Sequence, residues 1–544
     1  MNTFKWGRLV SIIAITVGVT FSALAEPRKS EVMLPLRDGV KLATDIYLPE
    51  TGEGPWPVVL SRTPYNKDGG TGNGARFTDA GYVFVMQDVR GQYKSEGNYE
   101  PFQTDMEDGY DTVEWIAEQE FCNGKVGMTG GSALGITANL AAASNPPHLV
   151  CAYVVVAPNS LFRESRFIGG AFKESHAGGW MRGQGVGDQV AAMKKRVVMD
   201  EQWMATDFRH HIKKVDIPIY NVGGWYDIFS QGNIRNFSYL QTYGLPGAQG
   251  NQKLFMGPFG HGGLSGDLEY PDGGGIRSSF SDEEIRWFDY WLMGKANGIM
   301  DEPAIRYYMM ASAKKDAASD KNKYLTTSTW PPKSTTKKLY LNSKSGLTWT
   351  TPNRNSDKTE FFAVPGDPIP TVGGLNLRIE KGPMDQRVIG VRKDYLRFET
   401  KKLKEDVVIA GKIDFKFYAS TNQPDTDFMI KLVDVYPDGY EAIVLDNPIR
   451  ARFRNGRNPG DAVFMPQGET VELAVDLWST AITFEKGHRI AVHVSSSNFP
   501  RFDVNMNNGE EPGSYEMPPR VAKNTIYHNA YYPSALILPV IEKD

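Results

Sequence analysis

The chain has 544 residues, which is too long for a single hydrophobic core, so we expect two or three domains. Its hydrophobic fraction of 41% and charged fraction of 23% are those of an ordinary globular protein. A formal net charge of −4 gives no electrostatic indication of nucleic-acid binding, and no nucleic-acid partner is expected.

The first 25 residues have the organisation of a secretory signal peptide. Lys5 and Arg8 precede an apolar stretch at 9–21, and Ala23-Leu24-Ala25 supplies a small-x-small cleavage site. The alternative is an uncleaved membrane anchor, but the apolar stretch is short for a transmembrane span. We therefore predict cleavage after Ala25, a periplasmic or secreted location, and no membrane association after cleavage.

Apolar strands alternate with helical patterns in the next part of the chain. A hairpin signal at Arg37-Asp38-Gly39 is followed by four predicted strands and one amphipathic helix at 105–118. The four strands are predicted at 57–61, 81–87, 126–129 and 149–157. This alternation is typical of a mostly parallel sheet that is covered by helices on both faces.

A glycine-rich turn joins the strand at 126–129 to a predicted helix at 134–144, with Ser132 at its apex. The chain must reverse within about two residues there, which leaves no room for side chains beside the serine. Glycines stand at positions 130, 131 and 135. The pattern is that of a nucleophile elbow, in which the helix N-terminus favours negative charge. The alternative is a strand–helix turn without catalytic meaning.

The alternation of apolar strands and helices stops after residue 159. Residues 160–214 are rich in charge, glycine and methionine and helical in pieces, which favours a helical cap above the carboxyl ends of the strands. The sheet resumes with strands at 216–222 and 252–257 and a closing helix at 282–293. A polar stretch containing Trp330-Pro331-Pro332 is interpreted as a linker.

The last 200 residues show a hydrophobic period of two. Ile413, Phe415 and Phe417 alternate with polar residues, and Pro437-Asp438-Gly439 is a hairpin turn signal, which together favour a β-sandwich. The predicted organisation is a signal peptide (1–25), a core in two parts (26–159 and 215–311), a cap (160–214), a linker (312–338) and the sandwich (339–544).

An apex serine needs a base, and the base needs an acid to orient it. In such sheets these groups follow the carboxyl ends of strands, in the chain order serine, acid, histidine. Asp227 follows the strand at 216–222, and His261 follows the strand at 252–257. Considered alone, Asp227 could be a carboxylate in a turn and His261 a histidine in a surface loop. Their order and context favour a Ser132–Asp227–His261 triad.

A tetrahedral intermediate also needs hydrogen-bond donors for its oxyanion. The backbone N–H of Ala133, next to the serine, is one expected donor. A second donor normally comes from the loop after the third strand, and that loop carries Tyr65. Position alone favours packing of Tyr65 beside Pro64.

A series of motifs spans nearly the whole chain after residue 25. They are Asp-Gly-Val-Lys-Leu at 38–42, Arg-Thr-Pro-Tyr-Asn-Lys at 62–67, Gln-Asp-Val-Arg-Gly at 87–91, the elbow at 124–135, Gly-Trp-Tyr-Asp at 224–227, Gly-Pro-Phe-Gly-His at 257–261 and Ser-Ser-Asn-Phe-Pro-Arg-Phe-Asp at 496–503. In this order they resemble the cocaine esterase-like (CocE/NonD) hydrolases, relatives of Xaa-Pro dipeptidyl-peptidases and α-amino acid ester hydrolases.

The resemblance implies an α/β-hydrolase fold with a helical cap and a C-terminal jelly-roll domain. It implies Ser132 as the nucleophile with Asp227 and His261 as its partners. It also implies that the Tyr65 hydroxyl and the Ala133 N–H form the oxyanion hole. The family usually has a tyrosine where Ala133 stands, so one wall of the acyl pocket is missing here.

The α-amino acid ester hydrolases hold the substrate ammonium in a carboxylate cluster. The corresponding stretches here read Arg163-Glu164-Ser165-Arg166 and Ile228-Phe229-Ser230, so Glu164 is the one acid available. A cationic amine would bind weakly, because an ammonium taken out of water needs paired charge. Arg163 and Arg166 favour an anionic substrate unless they are exposed cap charges. With Trp225, these three residues are the candidate pocket residues.

Cys122 and Cys151 are the two cysteines of the chain and flank the elbow helix. A disulfide and two buried thiols remain equally open, and no Cys/His spacing suggests a metal site.

We therefore predict an exported serine hydrolase that cleaves carboxylic esters, and less readily amides, of small molecules through an acyl-enzyme without a cofactor. One alternative is an Xaa-Pro dipeptidyl-peptidase, which requires an acidic ammonium pocket. Another is a ligand- or glycan-binding protein with an inert hydrolase domain. The sequence leaves open the natural substrate, the acyl preference and whether the chain forms homo-oligomers.

Overall fold

The computed structural model describes residues 28–272, 281–315 and 317–542. The predicted signal peptide at 1–25 lies outside these described residues. Within them, no helix combines the length and apolarity needed to cross a bilayer.

The described residues form a ten-stranded sheet in the first part of the chain. In chain order its strands are β1 Arg28–Pro35, β2 Lys41–Leu48, β3 Trp56–Thr63, β4 Val83–Asp88, β5 Cys122–Gly131, β6 Leu149–Val155, β7 Ile219–Tyr226, β8 Lys253–Gly260, β9 Ile305–Met309 and β10 Lys323–Thr327. They lie in the order β1-β2-β4-β3-β5-β6-β7-β8-β9-β10. Strands β3 to β9 are parallel, whereas β1, β2 and β10 run antiparallel to their neighbours.

Helices cover both faces of this sheet. In chain order the helices are α1 Thr71–Asp79, α2 Asp105–Ala117, α3 Ala133–Ala143, α4 Gly179–Gly183, α5 Val190–Lys195, α6 Glu201–Thr206, α7 Phe208–His211, α8 Ser230–Tyr243 and α9 Ser281–Met293. Helices α2, α3 and α8 pack on one face, and α1 and α9 pack on the other. Every residue of β4, β7 and β8 is buried, as expected for strands covered on both faces.

The cap is inserted between β6 and β7 and contains α4 to α7, as the sequence predicts. It also contains π-helical turns at Leu161–Arg166 and Glu174–Gly178 and a short two-stranded ribbon, Phe167–Ile168 with Ala171–Phe172. Its apolar core includes Trp180 and Trp203 and is continuous with side chains of α3. The cap is therefore packed directly on the helix that follows the elbow.

The second domain is an all-β sandwich, which confirms the predicted fold class. Its strands are β11 Thr335–Asn342, β12 Gly346–Thr348, β13 Lys358–Ala363, β14 Leu396–Glu399, β15 Val407–Thr421, β16 Asp427–Val435, β17 Glu441–Arg450, β18 Val471–Phe484, β19 Arg489–Ser495, β20 Ala522–Tyr527 and β21 Ala535–Val540. Apart from β12 with β14, the paired strands are antiparallel. Ile413, Phe415 and Phe417 are fully buried on the inner face of β15.

The predicted linker at 312–338 is wrong for part of its length. Strand β10 pairs antiparallel with β9 at the edge of the first sheet, and β11 already begins at Thr335. The side chains of β10 are only partly buried. An edge strand of this kind needs few apolar residues, which is why its polar composition resembles that of a linker.

The second domain also supports the cap. The Asp503 carboxylate accepts a hydrogen bond of 2.8 Å from the Phe172 amide and one of 3.2 Å from Arg450. Phe453 packs into the apolar core of the cap. The sandwich thus holds the cap in place over the sheet.

Candidate active site

Ser132 lies between β5 and α3 in a rare backbone conformation, with φ 58° and ψ −119°. Its amide donates a hydrogen bond of 2.9 Å to the Val155 carbonyl, which ties the turn to the neighbouring strand. A non-glycine residue in such a conformation is strained by about 1–3 kcal/mol and persists only where its surroundings hold it. The strained turn presents the serine hydroxyl at the carboxyl edge of the sheet.

At two of the three elbow glycines, a side chain would clash with neighbouring atoms. A Cβ on Gly130 would lie 2.4 Å from the backbone of Leu134, and one on Gly135 would lie 3.0 Å from the Cβ of Ala157. The prediction that Gly131 is equally constrained is wrong, since a Cβ there would meet nothing closer than 3.8 Å. Strand and helix therefore cross closely at Gly130 and Gly135 only.

The structure brings the predicted serine, histidine and aspartate together. His261 follows β8, and its Nε2 lies 2.9 Å from the Oγ of Ser132. Its Nδ1 lies 2.6 Å from Oδ2 of Asp227, which follows β7 and is fully buried. The other carboxylate oxygen, Oδ1, accepts a hydrogen bond of 2.7 Å from the Phe229 amide.

This arrangement determines which nitrogen of His261 can act as a base. A buried carboxylate beside Nδ1 favours the tautomer that carries its proton there, so Nε2 is left as an acceptor facing the serine hydroxyl. The Phe229 ring packs edge-on against the imidazole at 6.0 Å between ring centroids. The geometry can therefore take a proton from Ser132 and hold the resulting cation against Asp227.

Tyr65 lies in the loop after β3, with its hydroxyl tied to the cap. Its hydroxyl oxygen accepts a hydrogen bond of 2.8 Å from Nε1 of Trp180 in α4. Although 40% of the residue is accessible, desolvation raises the pKa of Tyr65, so the phenol stays protonated at neutral pH. Because the oxygen accepts from the indole, the O–H remains available as a donor.

Ala133 is the first residue of α3 and is buried. The first amides of a helix have no acceptor within the helix, so the Ala133 N–H is available to a group beside Ser132. Ala133 and Tyr65 remain the predicted pair of oxyanion donors.

Trp225 does not line a substrate pocket, contrary to the prediction. The residue is buried, and its indole Nε1 donates a hydrogen bond of 2.7 Å to the Tyr308 carbonyl of β9. Its ring packs against Trp330 at a centroid distance of 5.6 Å. The side chain thus faces the junction with the second domain, and the motif around it is structural at this position.

Glu164 is not available to bind an ammonium group either. It is fully buried, and its Oε1 accepts a hydrogen bond of 2.6 Å from Arg235. Its Oε2 accepts from the amides of Asn159 and Ser160, at 2.7 and 3.3 Å. Both oxygens of the carboxylate therefore already accept hydrogen bonds, and these bonds connect the start of the cap to α8.

The side chains of the two arginines beside Glu164 lie in different environments. Arg163 is half-buried, and burial together with the nearby Arg209 lowers its pKa. Arg166 is buried, lines a cavity of about 280 Å³ in the cap, and lies over the ring of Trp180 at 5.5 Å. Of these two arginines, Arg166 is the one that packs on Trp180, whose indole binds the Tyr65 hydroxyl.

The structure excludes the disulfide between Cys122 and Cys151. Both thiols are free and buried. Cys151 pairs with Gly127 across the sheet, whereas Cys122 lies five residues earlier on β5. Strand β5 is irregular between Cys122 and Val126, so Cys122 is level with Trp56 and Gly127 with Val59, three residues apart on β3. At the usual strand rise and spacing the two cysteine Cα atoms are about 11 Å apart, beyond the reach of a disulfide. Burial raises the pKa of both thiols, which makes them poor nucleophiles.

Sequence reasoning missed two cap residues that contact the site. Trp180 holds the Tyr65 hydroxyl, and the buried Lys173 donates hydrogen bonds to the carbonyls of Ile228 (3.1 Å) and Glu164 (2.8 Å). Lys173 thereby fastens the loop that carries Asp227. Cap segments have no fixed spacing relative to the strands, so no sequence signal marked these two residues.

One group of acids among the described residues has metal-like spacing, Glu31, Asp45 and Asp68. Lys67 forms ion pairs with all three, at 2.5, 2.7 and 3.1 Å. The buried ammonium supplies the positive charge that the cluster needs, so these residues fit an ion-pair network rather than a metal site.

An α/β-hydrolase fold with an elbow serine, a histidine and a buried aspartate defines the class of serine hydrolases. Two family models match the chain. The model of the X-Pro dipeptidyl-peptidase S15 family matches residues 38–196 and 183–263. The model of the X-Pro dipeptidyl-peptidase C-terminal non-catalytic domain matches residues 297–537.

Individual relatives agree with this class. The chain is 30% identical to a cocaine esterase from Rhodococcus sp. (strain MB1 Bresler), over 94% of this chain and 98% of that protein. It superimposes on a solved α-amino acid ester hydrolase with a TM-score of 0.81 at 25% identity, covering 97% and 100% of the two chains. An aminopeptidase from a marine sediment archaeon, Thaumarchaeota archaeon, has a TM-score of 0.82 at 24% identity, covering 96% and 97%.

The chain belongs to the cocaine esterase-like (CocE/NonD) family of serine hydrolases. It is accordingly an enzyme, and the alternative of a binding protein with an inert hydrolase domain is set aside.

Proposed function

We propose that the enzyme hydrolyses carboxylic esters of small molecules through a covalent acyl-enzyme on Ser132. The observation that carries this proposal is the continuous chain of hydrogen bonds from the Ser132 hydroxyl through His261 to the buried Asp227. His261 takes the serine proton as Oγ attacks the ester carbonyl, and gives it to the leaving alcohol. In the second half His261 takes a proton from water as the water oxygen attacks the acyl carbon, and it returns that proton to Ser132 Oγ as the bond from Oγ to the acyl group breaks and the acid leaves.

The oxyanion of each tetrahedral intermediate is proposed to receive hydrogen bonds from the Ala133 amide and the Tyr65 hydroxyl. The support for Tyr65 is its hydrogen bond from Trp180, which fixes the oxygen and leaves the O–H free to donate. Both donors are in place before the charge develops, so they stabilise the transition state more than the neutral ester.

Tyr65→Phe is expected to lower kcat by about 10²-fold with a small change in KM, because the lost donor acts on charge that develops only in the transition state. Steady-state kinetics on a neutral ester tests this. Tyr93→Phe, on an exposed tyrosine of a different loop, is the matched control and should keep full activity. Equal kcat values for Tyr65→Phe and the unmodified enzyme would remove Tyr65 from the oxyanion hole.

Peptide substrates with a free N-terminus are disfavoured by the environment of Glu164. Its carboxylate is already paired with Arg235 and with two backbone amides, and the neighbouring cavity carries the cation Arg166. An ammonium group would enter that region without an unpaired acid to receive it. This argues against the Xaa-Pro dipeptidyl-peptidase alternative.

A substrate panel tests the proposed function. It contains short and aromatic acyl esters, an α-amino ester, a simple amide and Gly-Pro-anilide, each assayed with the purified mature chain. We expect kcat/KM to be highest for the simple esters and lowest for Gly-Pro-anilide. A preference for Gly-Pro-anilide over every ester would replace the proposed esterase by a dipeptidyl-peptidase.

We further propose that the chain is exported and cleaved after Ala25. The support is the charged start, apolar stretch and Ala23-Leu24-Ala25 site of the sequence. Mass spectrometry of the protein from fractionated cells is expected to find Glu26 at its N-terminus, outside the cytoplasm. An intact Met1 on cytoplasmic protein would contradict export.

A further inference from the structure

Arg166 ends the π-helical turn Leu161–Arg166 at the base of the cap and is 4% exposed. Its guanidinium lies over the Trp180 ring at 5.5 Å, and the indole of Trp180 donates directly to the Tyr65 hydroxyl at 2.8 Å. A buried cation therefore lies one side chain away from a proposed oxyanion donor.

This cation has no counter-charge. None of the ion pairs among the described residues includes Arg166, and its one hydrogen bond there goes to the Ser165 hydroxyl at 2.8 Å. Burial lowers the pKa of Arg166 to about 10, which still leaves it protonated at neutral pH. A charged group held out of water without a partner destabilises the fold, and such groups concentrate where a ligand supplies the missing charge.

A second polar group beside Arg166 also lacks a partner. The hydroxyl of Tyr99 is buried, and it makes no hydrogen bond within the part of the chain that the structure describes. Tyr99 and Tyr65 are the two ionisable side chains close enough to Arg166 to raise its pKa against the effect of burial. A guanidinium and a phenol O–H are both donors, and together they suit the oxygens of an anion.

The cavity of about 280 Å³ next to Arg166 has apolar walls formed by Leu161, Met181 and Trp203. Two other charged residues line it. Arg196 is paired with Asp200 at 3.2 Å, and Glu100 is solvent-exposed and forms no ion pair with Arg166. Gln103, Gln189 and Gln202 also line the cavity, so it has mixed apolar and polar walls with an unpaired cation in one of them.

Neither Ser132 nor His261 lines this cavity, and its connection to the site runs through the apolar core of the cap. Leu161 and Met181 belong to the same apolar cluster as Ala133 and Ile136, the first residues of the helix behind Ser132. Trp180 contacts both the Tyr65 hydroxyl and the Arg166 guanidinium, so an acyl group on Ser132 that extends past the oxyanion donors along Trp180 would approach Arg166. An uncharged acyl chain would leave the guanidinium unpaired, whereas a chain that ends in a carboxylate would pair with it.

We propose that Arg166 recognises a second carboxylate on the acyl part of the substrate, so that the enzyme prefers monoesters of short dicarboxylic acids. The inference rests on the proposed function, in which Ser132 carries the acyl group. Arginine suits this role because its planar fork of N–H groups matches both oxygens of a carboxylate.

The test compares ethyl monoesters that differ only in the terminal group of the acyl chain. Ethyl hydrogen glutarate is measured against ethyl glutaramate, its neutral amide analogue, and against ethyl pentanoate, by titration of released acid at constant pH. The succinate and adipate homologues vary the distance between the two carboxyl groups. We expect kcat/KM for the best dicarboxylic monoester to exceed that of its neutral analogue by about 30-fold, as one charge-assisted contact supplies.

Arg166→Met is expected to remove this preference, so that the charged and neutral esters have similar kcat/KM values, and Arg166→Lys is expected to retain part of it. Arg163→Met is the matched control, because Arg163 is not among the residues that line the cavity. It should keep the full preference. A merely structural role of Arg166 would lower the rates of charged and neutral esters alike.

Isothermal calorimetry of free glutarate and of glutaramide measures binding without turnover. Because it compares the unmodified enzyme with Arg166→Lys, it does not depend on whether Arg166→Met folds. Tighter binding of glutarate to the unmodified enzyme than to Arg166→Lys supports the inference. A preference below threefold at all three chain lengths, or its persistence in Arg166→Met, overturns the inference while leaving ester hydrolysis intact. Absence of Ser132-dependent turnover of every ester would instead overturn the proposed function.

Discussion

Ser132→Ala is expected to lower kcat for ester hydrolysis by roughly 10⁶-fold, to the residual rate that binding and the oxyanion donors support. The loss is specific to chemistry because the side chain makes a single hydrogen bond among the described residues, to His261. Alanine keeps the Cβ and therefore meets the same backbone strain at φ 58°. Steady-state kinetics gives the effect, and thermal unfolding should show a nearly unchanged midpoint.

Ser144→Ala is the matched control for this variant. Ser144 stands at the other end of the same helix, where its hydroxyl donates to the Ala141 carbonyl at 2.7 Å. Its loss should leave kcat unchanged. A fluorophosphonate should label the unmodified enzyme and Ser144→Ala but not Ser132→Ala, as read by mass. Retention of more than about one per cent of activity in Ser132→Ala would contradict its role as the nucleophile.

Asp227→Asn is expected to lower kcat by about 10⁴-fold without unfolding the protein. The Phe229 amide donates to Oδ1, so an asparagine would place its carbonyl oxygen there and its NH₂ group toward His261. An amide donor facing Nδ1 forces the proton of the ring onto Nε2. The histidine then cannot accept the Ser132 proton, even though every atom remains in place.

The matched control is Asp216→Asn. Asp216 precedes the same strand at its opposite end, is exposed, and accepts a hydrogen bond of 2.7 Å from the Gly247 amide. Its replacement should leave kcat unchanged. Because the defect of Asp227→Asn lies in the tautomer of His261, activity should recover in part at alkaline pH, where hydroxide can deprotonate the serine. Equal kcat values for the two asparagine variants would remove Asp227 from the mechanism.

The sequence predicts the parallel part of the first sheet well, because strands buried on both faces are continuous apolar runs. The sequence does not predict elements that bury polar side chains or that are only partly buried. Helix α8 has only a narrow apolar stripe, Ile234, Phe237 and Leu240, because it also buries polar residues. Among these are Asn233 and Asn236, and the Asn236 side chain accepts a hydrogen bond of 2.8 Å from Asn159. The edge strand β10 is half-exposed and resembles a linker.

The candidate pocket was the least predictable part of the site. Trp225, Glu164 and Arg163 were all plausible substrate contacts in the sequence. In the structure Trp225 donates to the Tyr308 carbonyl, Glu164 is paired with Arg235, and Arg163 is not among the residues that line the cap cavity. Which face a side chain occupies depends on what packs against it, and neighbours far along the chain supply that information.

The sequence by itself therefore determined the local features of the site. Gly130 and Gly135 mark a strand–helix turn around Ser132, and Asp227 and His261 come directly after strands, so parallel pairing alone brings them to one edge. What only the tertiary structure decided is non-local. The separation of Cys122 from Cys151 follows from strand register, and the placement of the unpaired Arg166 over Trp180 follows from how the cap packs on α3. Backbone geometry is encoded within a few residues, whereas register and packing arise from contacts between distant ones.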